Sequence, residues 1–123
     1  MMSNSPEQAT EATFAAHLER RKHSKTEEDI RENYHPDVVL LTSNGIFKGH
    51  DGVRQSAKLL ADQLPDLELS YKTQYVSGEV AFLEWTGKSH AGEVHDGTDT
   101  FLIRDGKILV QTIHYTVTRH YFH

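Results

Sequence analysis

From residue 67 to the C-terminus the chain alternates apolar and polar residues through consecutive runs, broken by tight-turn dipeptides. Side chains on a strand point to opposite faces with a period of two, so such alternation builds a sheet with one buried face. Leu67, Leu69, Tyr71, Thr73 and Tyr75 alternate with Glu68, Ser70, Lys72 and Gln74. After Ser77-Gly78, the residues Ala81, Leu83 and Trp85 alternate with Phe82, Glu84 and Thr86. A third run covers Thr98 to Ile103, and Asp105-Gly106 is a strong hairpin signal. The last run is expected from about Lys107 to about Tyr121. This spacing predicts an antiparallel meander.

The first half reads differently. Ser5-Pro6-Glu7-Gln8 is a helix start, with Ser5 and Gln8 spaced for a capping box and Pro6 at the first helical position. Phe14 and Leu18 mark its buried face. Thr26 with Asp29 gives a second capping signature, Ile30 and Tyr34 a short apolar stripe, and Pro36 a stop. Glu27-Glu28-Asp29 reads as a favourable first helical turn. Val38 to Thr42, the Asn44-Gly45 turn and Ile46 to Lys48 form an early hairpin. A third helix opens near His50-Asp51, carries Val53, Ala57, Leu60 and Leu64 inward, and stops at Pro65. Helices clustered before an antiparallel sheet give an α+β domain: a cone-shaped, curled antiparallel sheet packed on three N-terminal helices. Residues 1–5 are expected to be a disordered N-terminus and 6–123 a single domain.

Several functions are disfavoured. A formal charge of −5 repels nucleic-acid backbones. No apolar run reaches membrane-spanning length, and the N-terminus lacks the regions of a signal peptide. With no cysteine, thiolate chemistry, disulfides and cysteine zinc sites are excluded, and a cytoplasmic location is expected. Nucleophile elbows and phosphate-binding glycine loops are absent from the sequence. The nine histidines raise a metal reading, in which His90 and His95 oppose each other across a hairpin beside Glu93 or Asp99. No HExxH or HxH pattern supports it, so no metal and no cofactor are expected. His35 and His50 read as local structure. His17 and His23 read as solvated, although His17 can also point into the mouth of the cone.

Asp99 is the leading candidate for catalysis. It shares a face with Phe101 and Ile103, and a carboxyl placed among apolar residues has a raised pKa. Such a group can donate a proton near neutral pH; equally, it can serve only to organise the interior. Tyr34, Trp85, Phe101, Gln111 and Tyr115 complete an expected lining for an apolar or aromatic ligand. Symmetric pairing across Ala91 to Val94 places Trp85 opposite Thr100, and Trp85 then points away from Asp99. A bulge at Asp96-Gly97 brings the two to one face.

The run Asp99-Thr100-Phe101-Leu102-Ile103-Arg104-Asp105-Gly106-Lys107-Ile108 resembles the last hairpin of the nuclear transport factor 2-like superfamily, in its SnoaL-like and ketosteroid-isomerase-like members. Tyr34, Pro36 to Leu40 and Gly45 to Gly49 are similar as well. The resemblance implies a conical fold with a blind pocket, and homodimers through the outer sheet face. It favours the bulge. It also implies an aspartate acid/base at Asp99, as in isomerases that hold a protonated aspartate at the matching position. The isomerase's catalytic base falls at Thr42 here and its oxyanion tyrosine near Leu18, which argues against steroid isomerisation by that mechanism. The function implied is a small-molecule isomerase, cyclase or dehydratase acting by proton transfer. The alternatives are a non-catalytic ligand-binding module and an oligomerisation module of the same fold.

Overall fold

The computed structural model describes residues 5–120. The expectation of a disordered start therefore lies, for residues 1–4, outside the described residues; Ser5 is ordered as the cap of the first helix. Helices α1 (Pro6–Lys22), α2 (Thr26–Asn33) and α3 (Gly49–Gln63) accompany strands β1 (Tyr34–Thr42), β2 (Gly45–Lys48), β3 (Glu68–Ser77), β4 (Val80–Ser89), β5 (Gly92–Arg104), β6 (Lys107–His114) and β7 (Thr118–Arg119). No helix among the described residues is long and apolar enough to cross a membrane.

The capping box at Ser5 forms as expected: Ser5 Oγ accepts from Gln8 N–H and Gln8 Oε1 accepts from Ser5 N–H. The buried positions of α1 are Thr10, Thr13, Phe14, His17 and Leu18, a single stripe at helical spacing in which three members are polar. Thr13 Oγ1 donates to Gly106 O in the β5–β6 turn at 2.9 Å, and Tyr71 OH donates to Leu18 O at 2.8 Å, so α1 is pinned at its middle and in its C-terminal half. The second capping signature does not form. Lys25 caps α2 with no side-chain bond, and Asp29 is drawn into the interior instead.

The sheet runs β2-β1-β6-β5-β4-β3, with β7 added beside β5. It is mixed, not wholly antiparallel: β1 pairs with β6 in parallel. Helix α3 carries the chain across to the far edge, and the reversals of the β3–β6 meander bring β6 back running alongside β1. The sheet is open, so the cone is curled but not closed. Tyr34 does not extend the α2 stripe; it is extended at φ −104° and begins β1, since the residues around Pro36 resist helix. The last run stops at His114, and the short β7 follows separately.

The curl comes with irregular pairing. Trp85 pairs with Gly97 and Gly87 with Val94, so β5 carries an extra residue at His95-Asp96, next to the expected bulge. The turn itself lies at His90-Ala91, because Ser89 pairs with Gly92; His90 and His95 are therefore not opposed. Strand β3 carries its extra residue at Lys72, between the Tyr71–Trp85 and Thr73–Glu84 pairs. That bulge reverses the facing of the residues beyond it. Tyr75, expected inside, is 68% exposed, and Val76 packs on the core in its place.

Gly97 is where this geometry is tightest. A Cβ there would lie 2.3 Å from Trp85 Cδ2 and Cε2, so the indole lies directly on the glycine backbone. Gly97→Ala is expected to cost about 2–3 kcal/mol by forcing the indole away. Urea denaturation measures the loss. Fluorescence of Trp85, the chain's single tryptophan, reads its cause. An unchanged spectrum and midpoint would show that the indole is not held against β5.

Candidate functional site

Between the helices and the curled sheet lies a cavity of about 310 Å³. Leu18 of α1, Val53 and Leu60 of α3, and Leu40, Leu69, Leu83 and Ile113 of the sheet make most of its wall apolar. Ser24, Thr26, Ser56, Asp66, Tyr71 and Tyr115 also line it, and two buried polar clusters reach it.

The first cluster centres on Asp99. Pairing with Leu83 on one side and Ile113 on the other turns it inward, where it is 7% exposed. Its Oδ1 accepts from Trp85 Nε1 at 3.0 Å and its Oδ2 from Gln111 Nε2 at 2.9 Å. Gln111 Oε1 in turn accepts a short hydrogen bond from Tyr34 OH. Burial pushes the Asp99 carboxyl above the usual carboxylate range, although the Trp85 and Gln111 bonds and the charges of His17 and Arg21 oppose the shift. Burial likewise pushes the Tyr34 hydroxyl up, keeping it a donor.

The structure thus brings Asp99, Trp85, Gln111 and Tyr34 into one hydrogen-bonded chain on the cavity wall. Tyr115 lies at the side of the cavity, its ring 5.9 Å from that of Trp85 and its OH donating to Gln63 Oε1 of α3 at 2.9 Å. Phe101 is different. It packs against Phe14 and His17, at ring separations of 5.3 and 5.2 Å, and forms core behind the wall.

The second cluster reads in the sequence as surface. Asp29 of α2 is fully buried, and both its oxygens are engaged: Oδ2 accepts from His17 Nδ1 at 2.8 Å and Arg21 Nε at 2.6 Å, and Oδ1 from Asn33 Nδ2 at 2.9 Å. Burial works against its charge, but His17 and Arg21 outweigh burial and hold its pKa below the usual carboxylate range. His17 is 4% exposed, not solvated. A carboxylate on Nδ1 fixes the imidazole with that nitrogen protonated. Nε2 has no protein partner, and no enclosed side-chain nitrogen or oxygen among the described residues lacks one, so Nε2 opens onto the cavity that His17 lines. The available signal was spacing: His17 falls on the Phe14–Leu18 stripe, and Asp29 precedes the buried Ile30.

Thr42, at the position of the isomerase base, is occupied by its turn: Oγ1 bonds Gly45 O and Asn44 N, both at 3.0 Å. Among the described residues no group of three or more histidine, aspartate or glutamate side chains could hold a metal ion; His95 pairs with Glu93 at 3.1 Å.

Residues 12–111 match the family model described as a SnoaL-like domain. No curated protein matches at a significant level. Among solved structures, the chain is similar to an NTF-2-like protein of unknown function from Burkholderia xenovorans LB400. The identity is 12% and the TM-score 0.74, over 94% of this chain and 88% of that one. TerC, co-crystallised with polyporic acid, is similar at 16% identity and a TM-score of 0.74, over 88% and 92% of the two chains. A de novo designed protein with a curved β-sheet is similar at 17% identity and a TM-score of 0.73, over 94% and 88%. At these identities the likeness establishes the fold alone.

The two buried carboxyls should titrate with opposite signs. A lowered folded pKa makes Asp29 stabilising above the ordinary aspartate pKa, and that stability is lost as pH falls through the folded value. A raised folded pKa makes Asp99 cost stability once pH rises past the ordinary aspartate range, and the cost is complete above its folded value. Asp29→Asn is expected to cost about 3 kcal/mol at neutral pH, with the deficit shrinking in acid. Asp99→Asn should gain on the parent protein as pH rises through that window. Urea denaturation across a pH series checks both signs.

Proposed function

This chain belongs to the SnoaL-like domain family, and on that premise we propose that it catalyses proton transfer on a small, largely apolar oxygen-bearing molecule, as an isomerase, cyclase or dehydratase. One observation carries the reading. A single cavity holds both a carboxyl whose proton is favoured by burial and an imidazole whose free nitrogen is aimed by a buried carboxylate. Enzymes obtain acid and base work at one pH by separating the environments of two titratable groups in this way. In the proposed cycle, written for isomerisation of a ketone, Asp99 donates its proton to the carbonyl oxygen as His17 Nε2 takes one from the carbon next to the carbonyl. Returning the His17 proton to another carbon, and the oxygen-borne proton to Asp99, restores both groups. Asp29 orients the ring and stabilises the imidazolium.

A second reading has its own support. Both Asp99 oxygens already accept hydrogen bonds, an arrangement that also suits a carboxyl which only organises a ligand-binding wall. Native mass spectrometry of the purified protein, with extraction of any retained molecule, identifies candidate ligands. Ketones, aromatic acids and polyketide-like compounds are the next substrates to assay. Asp99→Asn and His17→Gln are each expected to lower turnover by about 10²–10⁴-fold while leaving affinity within a few fold. Turnover that survives both substitutions would sink the assignment. Binding without turnover in the parent protein would leave the binding module.

The outer sheet face supports the homodimer. Ile46, Leu41, Thr112, Thr100, Phe82 and Tyr75 form one cross-strand row, every neighbour paired, with no charged member. Three of the six, Leu41, Ile46 and Tyr75, are exposed large hydrophobics. Such a row favours a second copy laid against it. Sedimentation should give twice 14.0 kDa, and Phe82→Glu should give the monomer. A parent protein that sediments as a monomer would remove the dimer.

A further inference from the structure

The cavity contains one cation that its protein partners do not saturate. Arg21 of α1 lines it, and its guanidinium carries five N–H donors. Nε donates to Asp29 at 2.6 Å, and the Tyr34 hydroxyl takes a further hydrogen bond from the guanidinium; these two bonds leave three of its five donors over. The side chain is 21% exposed and bears electrostatically on Tyr71 and Asp99 as well, and all four residues line the cavity.

The other charges around the cavity do not satisfy it. The single charge of Asp29 is already divided among His17, Asn33 and Arg21 Nε. Burial favours the neutral form of Asp99. Asp66 is exposed at the rim, and the ion pair Arg21 makes is with Asp29. The Tyr34 hydroxyl donates to Gln111 while bonding Arg21, the Tyr71 hydroxyl donates to Leu18 O, and neither carries a counter-charge. The result is a planar cationic fork with donors left over, beside a wall of leucine, valine and isoleucine.

We infer that the ligand of this cavity is a small organic acid: its carboxylate accepts two parallel hydrogen bonds from Arg21 Nη1 and Nη2, and its hydrocarbon or aromatic body fills the apolar wall. Guanidinium matches a carboxylate in this bidentate geometry, and charge-assisted bonds gain strength away from bulk water. The inference rests on the same cavity as the proposed proton transfer and adds the substrate class. The anion's place is at α1, separate from the reacting oxygen, which belongs to Asp99 on the sheet.

The test compares acids with their neutral isosteres: benzoate with benzamide, trans-cinnamate with trans-cinnamamide, 2-naphthoate with 2-naphthamide. Calorimetric titration of the full chain is expected to show at least one acid binding roughly tenfold or more tighter than its amide. In Arg21→Met the ratio should fall towards one while the amide's affinity is retained. Arg21→Lys, a point charge without the fork, should keep only part of the preference. It serves in place of the methionine variant should that one fail to melt cooperatively. No acid binding at all, equal affinities in all three pairs, or a ratio unchanged by loss of the guanidinium would each overturn the inference. Because calorimetry reads binding, an acid preference without turnover keeps this inference and removes the proton-transfer reading. Turnover of neutral compounds without an acid preference does the reverse.

Discussion

A curled open sheet has an inner face that short helices cannot fill, and this mismatch underlies the rest of the molecule. Irregular pairing at β1–β6, β3–β4, β4–β5 and β5–β6 accompanies the bend. Each bulge adds local twist and re-aims the side chains beyond it. The bulge at His95-Asp96 is the one that matters for chemistry, since it puts Trp85 and Asp99 on the same face within hydrogen-bond reach. The bulge at Lys72 sends Tyr75 out and gives the outer face an aromatic. Pocket and outer face are thus shaped by the same backbone device.

At the pocket wall and just behind it, two aspartates meet one problem in opposite ways. A buried carboxyl must find opposite charge and full hydrogen bonding, or remain protonated. Asp29 has an arginine, a histidine and an asparagine, and stays charged. Asp99 has two neutral N–H donors, which do not offset its burial. The consequence passes to the neighbours. A charged Asp29 fixes the His17 tautomer and occupies Arg21 Nε, leaving His17 Nε2 without a protein partner among the described residues and Arg21 with donors that Asp29 and Tyr34 do not use.

Much of the fold was legible because it depends on local signals. The capping box at Ser5 and Gln8 forms, and Asp105-Gly106 makes a two-residue hairpin turn with φ of 52° and 75°, as such pairs do. Alternation placed Ala81, Leu83 and Trp85 inside, and Asp99 inward beside Phe101 and Ile103. The parallel pairing of β1 with β6 was not legible, since it joins segments some seventy residues apart and no local pattern records it. Tyr75 was misplaced because a bulge leaves no mark on a period-two pattern. His17 and Asp29 were missed for another reason. Helix faces are read from hydrophobic residues, and the buried stripe of α1 is mostly threonine and histidine, while Asp29 sits in an acidic run that looks like a solvated first turn.

A designed protein with a curved sheet shares this fold, and a fold does not by itself imply a function, so function has to be argued from the side chains in the cone. Thr42 illustrates the point. Its hydroxyl closes the β1–β2 turn and does not line the cavity, so the early strand supplies no base. Helix α1 supplies an imidazole instead, held by a carboxylate from α2, and it adds the guanidinium one turn further on. Polar groups on a helix cost more to bury than apolar ones, and α1 and α2 accept that cost at His17, Arg21, Asp29 and Asn33 together. A core needing only stability would place leucine or isoleucine at such positions. Their burial as one bonded cluster, open to the cavity through His17 and Arg21, is the observation on which the proposed ligand site rests.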